Sequence, residues 1–311
     1  GFFIYFILLI DRIKKEKLKI ILTTLIFLLY GTRTILRNYD WKQPEELYIK
    51  SLRYSFYPAQ LYGNLAYLYI INGQPEKAYQ LLHPVIERGF KTESILYMYG
   101  VSLKNLRIYQ QAEKIFLEVI KINPKNYEAL TELGEIYFLK NEIEKAKKTL
   151  EKSLDLKREY PKTYFILCQI CQIKGEKEEA IYYLDRLINF APDDFYPYYI
   201  KGLILKQNSE FEKANENFKI AYSILKKRND FYSIFNLGLL LKEMNRIDEA
   251  LDTFNYLKKL KPEDIEIMNE IGICYALKGE ELKAKEIWES ILKKDPLYYP
   301  ARENLKKLSE N

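Results

Sequence analysis

Cys168 and Cys171 form the one C-x-x-C in a chain of 311 residues that has three cysteines and a single histidine. Such a pair suits thiol redox exchange or metal binding. A structural zinc site needs a second ligand pair, however, and neither another C-x-x-C nor a histidine pair exists. Cys168 and Cys171 are therefore read as packing thiols, because free cysteine behaves as a small hydrophobe. His83, just before Pro84, is the only imidazole, so no Ser–His–Asp set can be assembled away from it. No Gly-rich phosphate loop is present either. The chain is expected to hold no catalytic residues, no cofactor and no metal.

Charge points the same way. The 49 basic and 43 acidic residues give a net charge of +6 and are mixed along the sequence. That pattern is a solvated helical surface, not the basic stripe of a nucleic-acid binder, so no nucleic-acid partner is expected. With 48% hydrophobic and 30% charged residues the chain is not disordered by composition. Three cysteines supply no disulfide framework.

What positions the remaining candidate residues is a repeat. Ala78, Ala112, Ala146, Ala180, Ala214, Ala250 and Ala284 are spaced 34, 34, 34, 34, 36 and 34 residues apart. Twelve residues earlier, in the same phase, stand Ala66, Gly100, Gly134, Cys168, Gly202, Gly238 and Gly272. Four residues after each alanine comes a large apolar residue: Leu82, Phe116, Leu150, Leu184, Phe218, Phe254 and Trp288. Apolar positions around these follow the 3.6-residue period of a buried helix face. The physical reading is two short antiparallel helices per repeat. A small residue on each removes bulk where they cross, and the large residue is expected to fill the space between neighbouring pairs. One pair has too little core to stand alone, so stacked pairs bury a continuous one.

This pattern resembles the tetratricopeptide repeat (TPR), a 34-residue helix–turn–helix unit. Leu133, Gly134, Tyr137, Ala146 and Leu150 carry the resemblance in one repeat. Ile271, Gly272, Tyr275, Ala284, Trp288 and Pro296 carry it more fully in another. It covers seven units from about Ala59 to Tyr298. Cys168 departs from the glycine register, and the fifth-to-sixth junction, Lys226 to Asp230, has two extra residues and no proline. The resemblance implies an all-α, right-handed superhelix (an α-solenoid) of seven helix pairs, with a capping helix over 299–311 carrying Ala301, Leu305 and Leu308. The first helix of each pair would line a concave groove. Its exposed positions in the fourth to sixth repeats read Phe165, Tyr196, Tyr199, Tyr232 and Phe235, followed by Lys206 and Lys242. Aromatic rings on an exposed face mark interaction sites, and the two lysines would favour an acidic or phosphorylated partner. The asparagine ladder with which such grooves can grip a peptide backbone is missing, since only Asn64 and Asn236 occupy that register, beside Glu132 and Glu270 among others.

The first 38 residues read differently. Residues 2–10 are apolar, 11–19 form a charged turn, and 20–30 are apolar again. A helix over 18–36 would be about 28 Å long, close to the thickness of a hydrocarbon core. The segment is read as a membrane hairpin, against the alternative of two short helices that cap the repeats or lie on a membrane surface. By the positive-inside rule Arg12, Lys14, Lys15, Lys17 and Lys19 keep the turn cytoplasmic, so the repeats are expected on the non-cytoplasmic, periplasmic or extracellular side. Residues 39–58 would be a linker helix. The run from Gly31 to Leu52, through Arg33, Thr34, Arg37, Asn38, Asp40, Trp41, Glu46 and Leu47, resembles the junction in TPR-containing membrane glycosyltransferases, above all the transmembrane-and-TPR O-mannosyltransferase family. The chain opens at Gly1 inside an apolar run and is read as the C-terminal piece of a longer protein. Two functions are therefore expected as alternatives. One is a membrane-anchored scaffold that binds an extended protein segment in its groove. The other is the substrate-binding tail of a membrane glycosyltransferase whose catalytic part precedes residue 1.

Overall fold

The computed structural model describes residues 20–34 apart from 22, 26 and 33, together with 44–55 and 58–310, and every regular element among them is a helix. The chain divides after Leu156 into two units. In the N-terminal unit, α1 (Pro44–Tyr54) precedes three helix pairs: α2 (Ala59–Ile71) with α3 (Pro75–Glu87), α4 (Glu93–Asn105) with α5 (Tyr109–Ile122), and α6 (Tyr127–Leu139) with α7 (Ile143–Leu156). The C-terminal unit holds four: α8 (Pro161–Lys174) with α9 (Lys177–Phe190), α10 (Phe195–Gln207) with α11 (Phe211–Leu225), α12 (Phe231–Glu243) with α13 (Ile247–Leu260), and α14 (Ile265–Leu277) with α15 (Glu281–Lys294). α16 (Tyr299–Glu310) follows, with Ala301 buried and Leu305 and Leu308 packed beside Trp288 and Ile291.

Each hairpin is set by local chemistry. Asp194, Asp230 and Asp264 cap α10, α12 and α14 by accepting hydrogen bonds from amides of their first turns. Seven residues after every small position the backbone enters the left-handed region, at Gly73, Arg107, Asn141, Gly175, Ser209, Asn245 and Gly279, with φ between 59° and 77°. There the next amide donates five residues back, as Glu210 N does to Leu205 O at 2.9 Å, closing the first helix of the pair in a Schellman turn.

The glycine register is a packing register, and the large residue that answers it belongs to the same pair. A Cβ built on Gly202 would lie 2.4 Å from the Phe218 ring, one on Gly134 2.6 Å from Leu150, and one on Gly238 2.7 Å from Phe254. The expectation that these large residues fill the space between pairs is thus corrected. Their tightest approach is across the hairpin, where two helices close on a bare Cα. Trp288 is the bulkiest of them, and it sits against Gly272 with its indole N–H buried and without a hydrogen-bond partner. An orphaned buried donor costs about 1–3 kcal/mol. Trp288→Phe removes both it and some packing volume, so it is expected to shift the melting temperature far less than Trp288→Ala, as calorimetry will show.

Charged residues stitch the turns. Glu210, at the N-cap of α11, is held by Lys177 and by Lys213 at 2.9 Å, and these partners pull its carboxyl from 4.5 down to about 2. A depressed carboxylate stabilises the fold fully above its unfolded value and loses that contribution as pH falls from about 4.5 toward about 2. NMR titration is expected to find Glu210 still ionised at pH 3.5, and Lys177→Gln to raise its midpoint.

Among the described residues no helix is long and apolar enough to cross a membrane. The described residues of 20–34 are helical, and residues 18–19 and 35–36, which the expected helix over 18–36 would also need, lie outside the described residues. The first arm of the expected hairpin, residues 2–10, and its charged turn, 11–19, lie outside the described residues, as does the junction over 35–43.

Candidate protein-binding face of the C-terminal unit

Helices α8, α10 and α12 carry the aromatic residues singled out in the sequence, and the structure sorts these into two groups. Phe165 and Tyr232 are exposed, at 37% and 63%. They are joined through neighbouring rings. Phe165 lies 5.7 Å from Tyr196, Tyr196 is 6.4 Å from Phe195, and Phe195 is 6.5 Å from Tyr232. The result is a strip of four rings over three successive repeats, two contacts tilted and one edge-on. Phe195 is buried and forms the floor of the strip. It opens α10, directly after the Asp194 cap, a position that exposed-groove reasoning passes over.

Tyr199 and Phe235 belong to the second group. Both are half-buried and lean on the interior: Tyr199 is 6.2 Å from Phe218, and Phe235 meets Phe254 edge-on at 5.7 Å. Burial, reinforced by Glu243 and Glu270, pushes the Tyr199 phenol well above its ordinary value, and burial raises Tyr196 too. Both therefore remain neutral hydroxyls at any physiological pH.

The lysines are already engaged. Lys206 Nζ donates to the Glu243 carboxylate at 3.0 Å and to the Glu243 carbonyl at 2.9 Å, and Lys242 pairs with Glu270 at 2.5 Å. Lys104 does the same in the N-terminal unit, reaching Glu132 at 2.6 Å and Glu135 at 2.5 Å. Lysines four residues after the small position thus tie one repeat to the next. Glu132 and Glu270 occupy the register where an asparagine ladder would sit. The attraction for an acidic partner expected of Lys206 and Lys242 is corrected accordingly, since their charge is met within the chain. Beside them a cavity of about 630 Å³ opens between α10–α11 and α12–α14, with Phe211, Met244 and Leu277 in its walls.

The cysteines are free and buried. Burial pushes the Cys168 thiol up to about 12 and Cys274 to about 11, which removes the thiolate that redox or nucleophilic chemistry requires. Cys171 has a feature not visible in the sequence: its sulfur lies 3.6 Å from Glu176 and 3.7 Å from Glu179, across the α8–α9 turn. Cys168 is not part of that group. His83 sits in a stack with Tyr79 and Tyr99, its Nδ1 2.9 Å from the Tyr99 hydroxyl and its Nε2 3.3 Å from Glu87. Tyr99 is buried, while the His83 ring and Glu87 reach solvent.

A family model described as tetratricopeptide repeat matches residues 109–161, and a second with the same description matches 232–263. Among curated proteins, the BBSome complex member BBS4 of Bos taurus is 29% identical over 116 residues, which is 37% of this chain and 22% of that protein. Solved structures agree in fold. The APC/C hetero-tetramer Cut9-Hcn1 superposes with a TM-score of 0.64 at 18% identity over 85% of this chain and 52% of its own. A tetratricopeptide repeat protein from Parabacteroides merdae gives 0.56 at 15% identity over 79% of this chain and 97% of its own. Pseudomonas aeruginosa pilF gives 0.54 at 16% identity, over 67% and 94%. With the in-phase helix pairs, these matches show that the chain contains tetratricopeptide repeats.

Proposed function

We propose that the chain is a protein-interaction scaffold whose C-terminal unit binds an extended polypeptide segment across α8, α10 and α12. The observation that carries this reading is the strip from Phe165 through Tyr196 and Phe195 to Tyr232, whose ends are exposed although they are large and apolar. Aromatic anchors dominate such contacts because they bury much area for little rotamer entropy. A random dodecapeptide library displayed on phage and panned on the full chain tests it. The reading expects enriched peptides whose capture is lost on a Phe165→Ala/Tyr232→Ala double variant. Peptides that bind the variant equally well would refute it.

Attachment to a membrane is a second reading, favoured by one observation. Ile20, Ile21, Leu25, Phe27, Leu28, Leu29 and Tyr30 are all at least half exposed in a helical stretch that is apolar on every side. Apolar helices of that kind seek a nonpolar phase. On this reading the repeats stand on the non-cytoplasmic side, and sedimentation of the full chain with vesicles tests it against a chain lacking residues 1–43. The tail of a membrane glycosyltransferase remains the alternative role. It rests on the Gly31–Leu52 run alone, and a full-length reading frame with further spans upstream would favour it.

A further inference from the structure

The length of the seven repeats differs in one place. Between Ala214 and Ala250 the period is 36 residues where it is otherwise 34. The structure shows where the extra length goes. α11 runs for 15 residues, and the α11–α12 junction has five, Lys226 to Asp230, where α7–α8, α9–α10 and α13–α14 each have four. That junction holds Lys226, Lys227 and Arg228, the only three consecutive basic residues in the chain. All three are exposed.

The insertion lies beside the aromatic strip. Arg228 donates to the backbone carbonyl of Asp193 at 2.7 Å, two residues before Phe195, and the junction leads directly into Tyr232. Lys226 sits over the Tyr222 ring at 5.6 Å. Among the described residues none of the three forms a close ion pair, although Lys226 adds to Arg246 in holding the Glu249 carboxyl down and Arg228 adds to the Ser233 hydrogen bonds in lowering Asp230. The nearby carboxylates of Asp194 and Asp230 are turned to the α10 and α12 amides that they cap, at 3.1 Å and 2.9 Å. The other acids nearby are Asp193 of the adjoining turn and Glu249 of α13, which is bound by Arg246 at 2.7 and 2.5 Å. This contrasts with Lys104, Lys206 and Lys242, each spent on the next repeat.

We infer that the segment bound on the strip is acidic, with glutamate or aspartate carboxylates meeting Lys226, Lys227 and Arg228 while its apolar side chains cover Phe165, Tyr196 and Tyr232. This rests on the binding face proposed above and adds its partner chemistry. The aromatic anchors supply most of the affinity. The exposed cations supply on-rate and choice of partner, because rim charges steer encounter more than they hold a complex.

The test uses the full chain and a fluorescein-labelled peptide of Glu-Glu-Phe repeated four times. Its counterparts are the same peptide with lysine for glutamate and a twelve-nucleotide oligothymidylate. The glutamate peptide is expected to bind and to weaken as salt rises from 50 to 300 mM, while the lysine peptide does not bind. Lys226→Gln/Lys227→Gln should weaken the glutamate peptide by roughly five-fold, from two exposed pairs, with an unchanged melting temperature because both side chains are in solvent. Equal binding by that variant, preference for the lysine peptide or the oligonucleotide, or no binding of the glutamate peptide would each overturn the inference. Tyr232→Ala separates the two proposals. If it weakens binding and the lysine variant does not, the strip stands and the acidic partner falls. If neither variant matters, both fall.

Discussion

Truncating Phe254 to alanine is expected to destabilise the C-terminal unit by about 3–5 kcal/mol, the cost of removing a buried aromatic side chain and leaving its cavity. Phe254 is wholly buried, and its ring lies against the bare Cα of Gly238 on one side and the edge of Phe235 on another. The reciprocal change, Gly238→Ala, puts a methyl 2.7 Å from the ring and should cost about 1–3 kcal/mol through overpacking. Because the two residues meet, their effects must couple. Gly238→Ala combined with Phe254→Leu should cost less than the sum of the single changes, since the shorter side chain vacates the space that the methyl needs. Urea denaturation of the four proteins measures this. Strict additivity would mean that the glycine register is not set by the ring of its own hairpin.

The second large effect separates binding from folding among the aromatic residues. Tyr232→Ala removes a ring that is largely in solvent and is expected to leave stability nearly unchanged. Phe165→Ala, from a ring partly covered by Tyr196, is expected to cost less stability than a buried ring would. Each should weaken a library-selected peptide by about 2 kcal/mol, roughly thirty-fold, as anchor truncations do. Tyr199→Ala and Phe235→Ala should do the reverse. They remove the support of Phe218 and Phe254 and should cost about 2 kcal/mol of folding stability, less than a fully buried ring would. Any loss of peptide affinity in them then follows from distortion of α10 and α12. Thermal melts and fluorescence anisotropy on the same four variants resolve the two groups.

The repeats were legible because their constraint is steric and recurs. Only glycine or another small residue fits at Gly100, Gly134, Gly202, Gly238 and Gly272, so residue type alone reveals the helix crossing. The left-handed turn seven residues later recurs just as strictly, but it passed unseen. There the constraint falls on φ, and glycine, arginine, asparagine and serine all satisfy it at these positions, so no single residue type marks the turn. The groove residues were legible in part for a similar reason. Periodicity places Phe165 and Tyr232 on the inner helices, but it does not say how far a ring folds back onto its own pair, and that distinguishes Tyr232 from Tyr199. Nor does sequence spacing reveal that Lys206 meets Glu243 and Lys242 meets Glu270. Such pairs depend on how one repeat is set against the next. The three cations of the fifth junction were visible as an irregularity of length, yet their place beside Phe195 and Tyr232 needed the fold.

Hydrogen–deuterium exchange of the full chain with and without a library-selected peptide tests the binding face most directly. Bound peptide should slow exchange in α8, α10 and α12, most at their N-terminal turns around Phe165, Phe195 and Tyr232, with the N-terminal unit unchanged. Protection centred on α9, α11 and α13, or on residues before Lys157, would contradict the account.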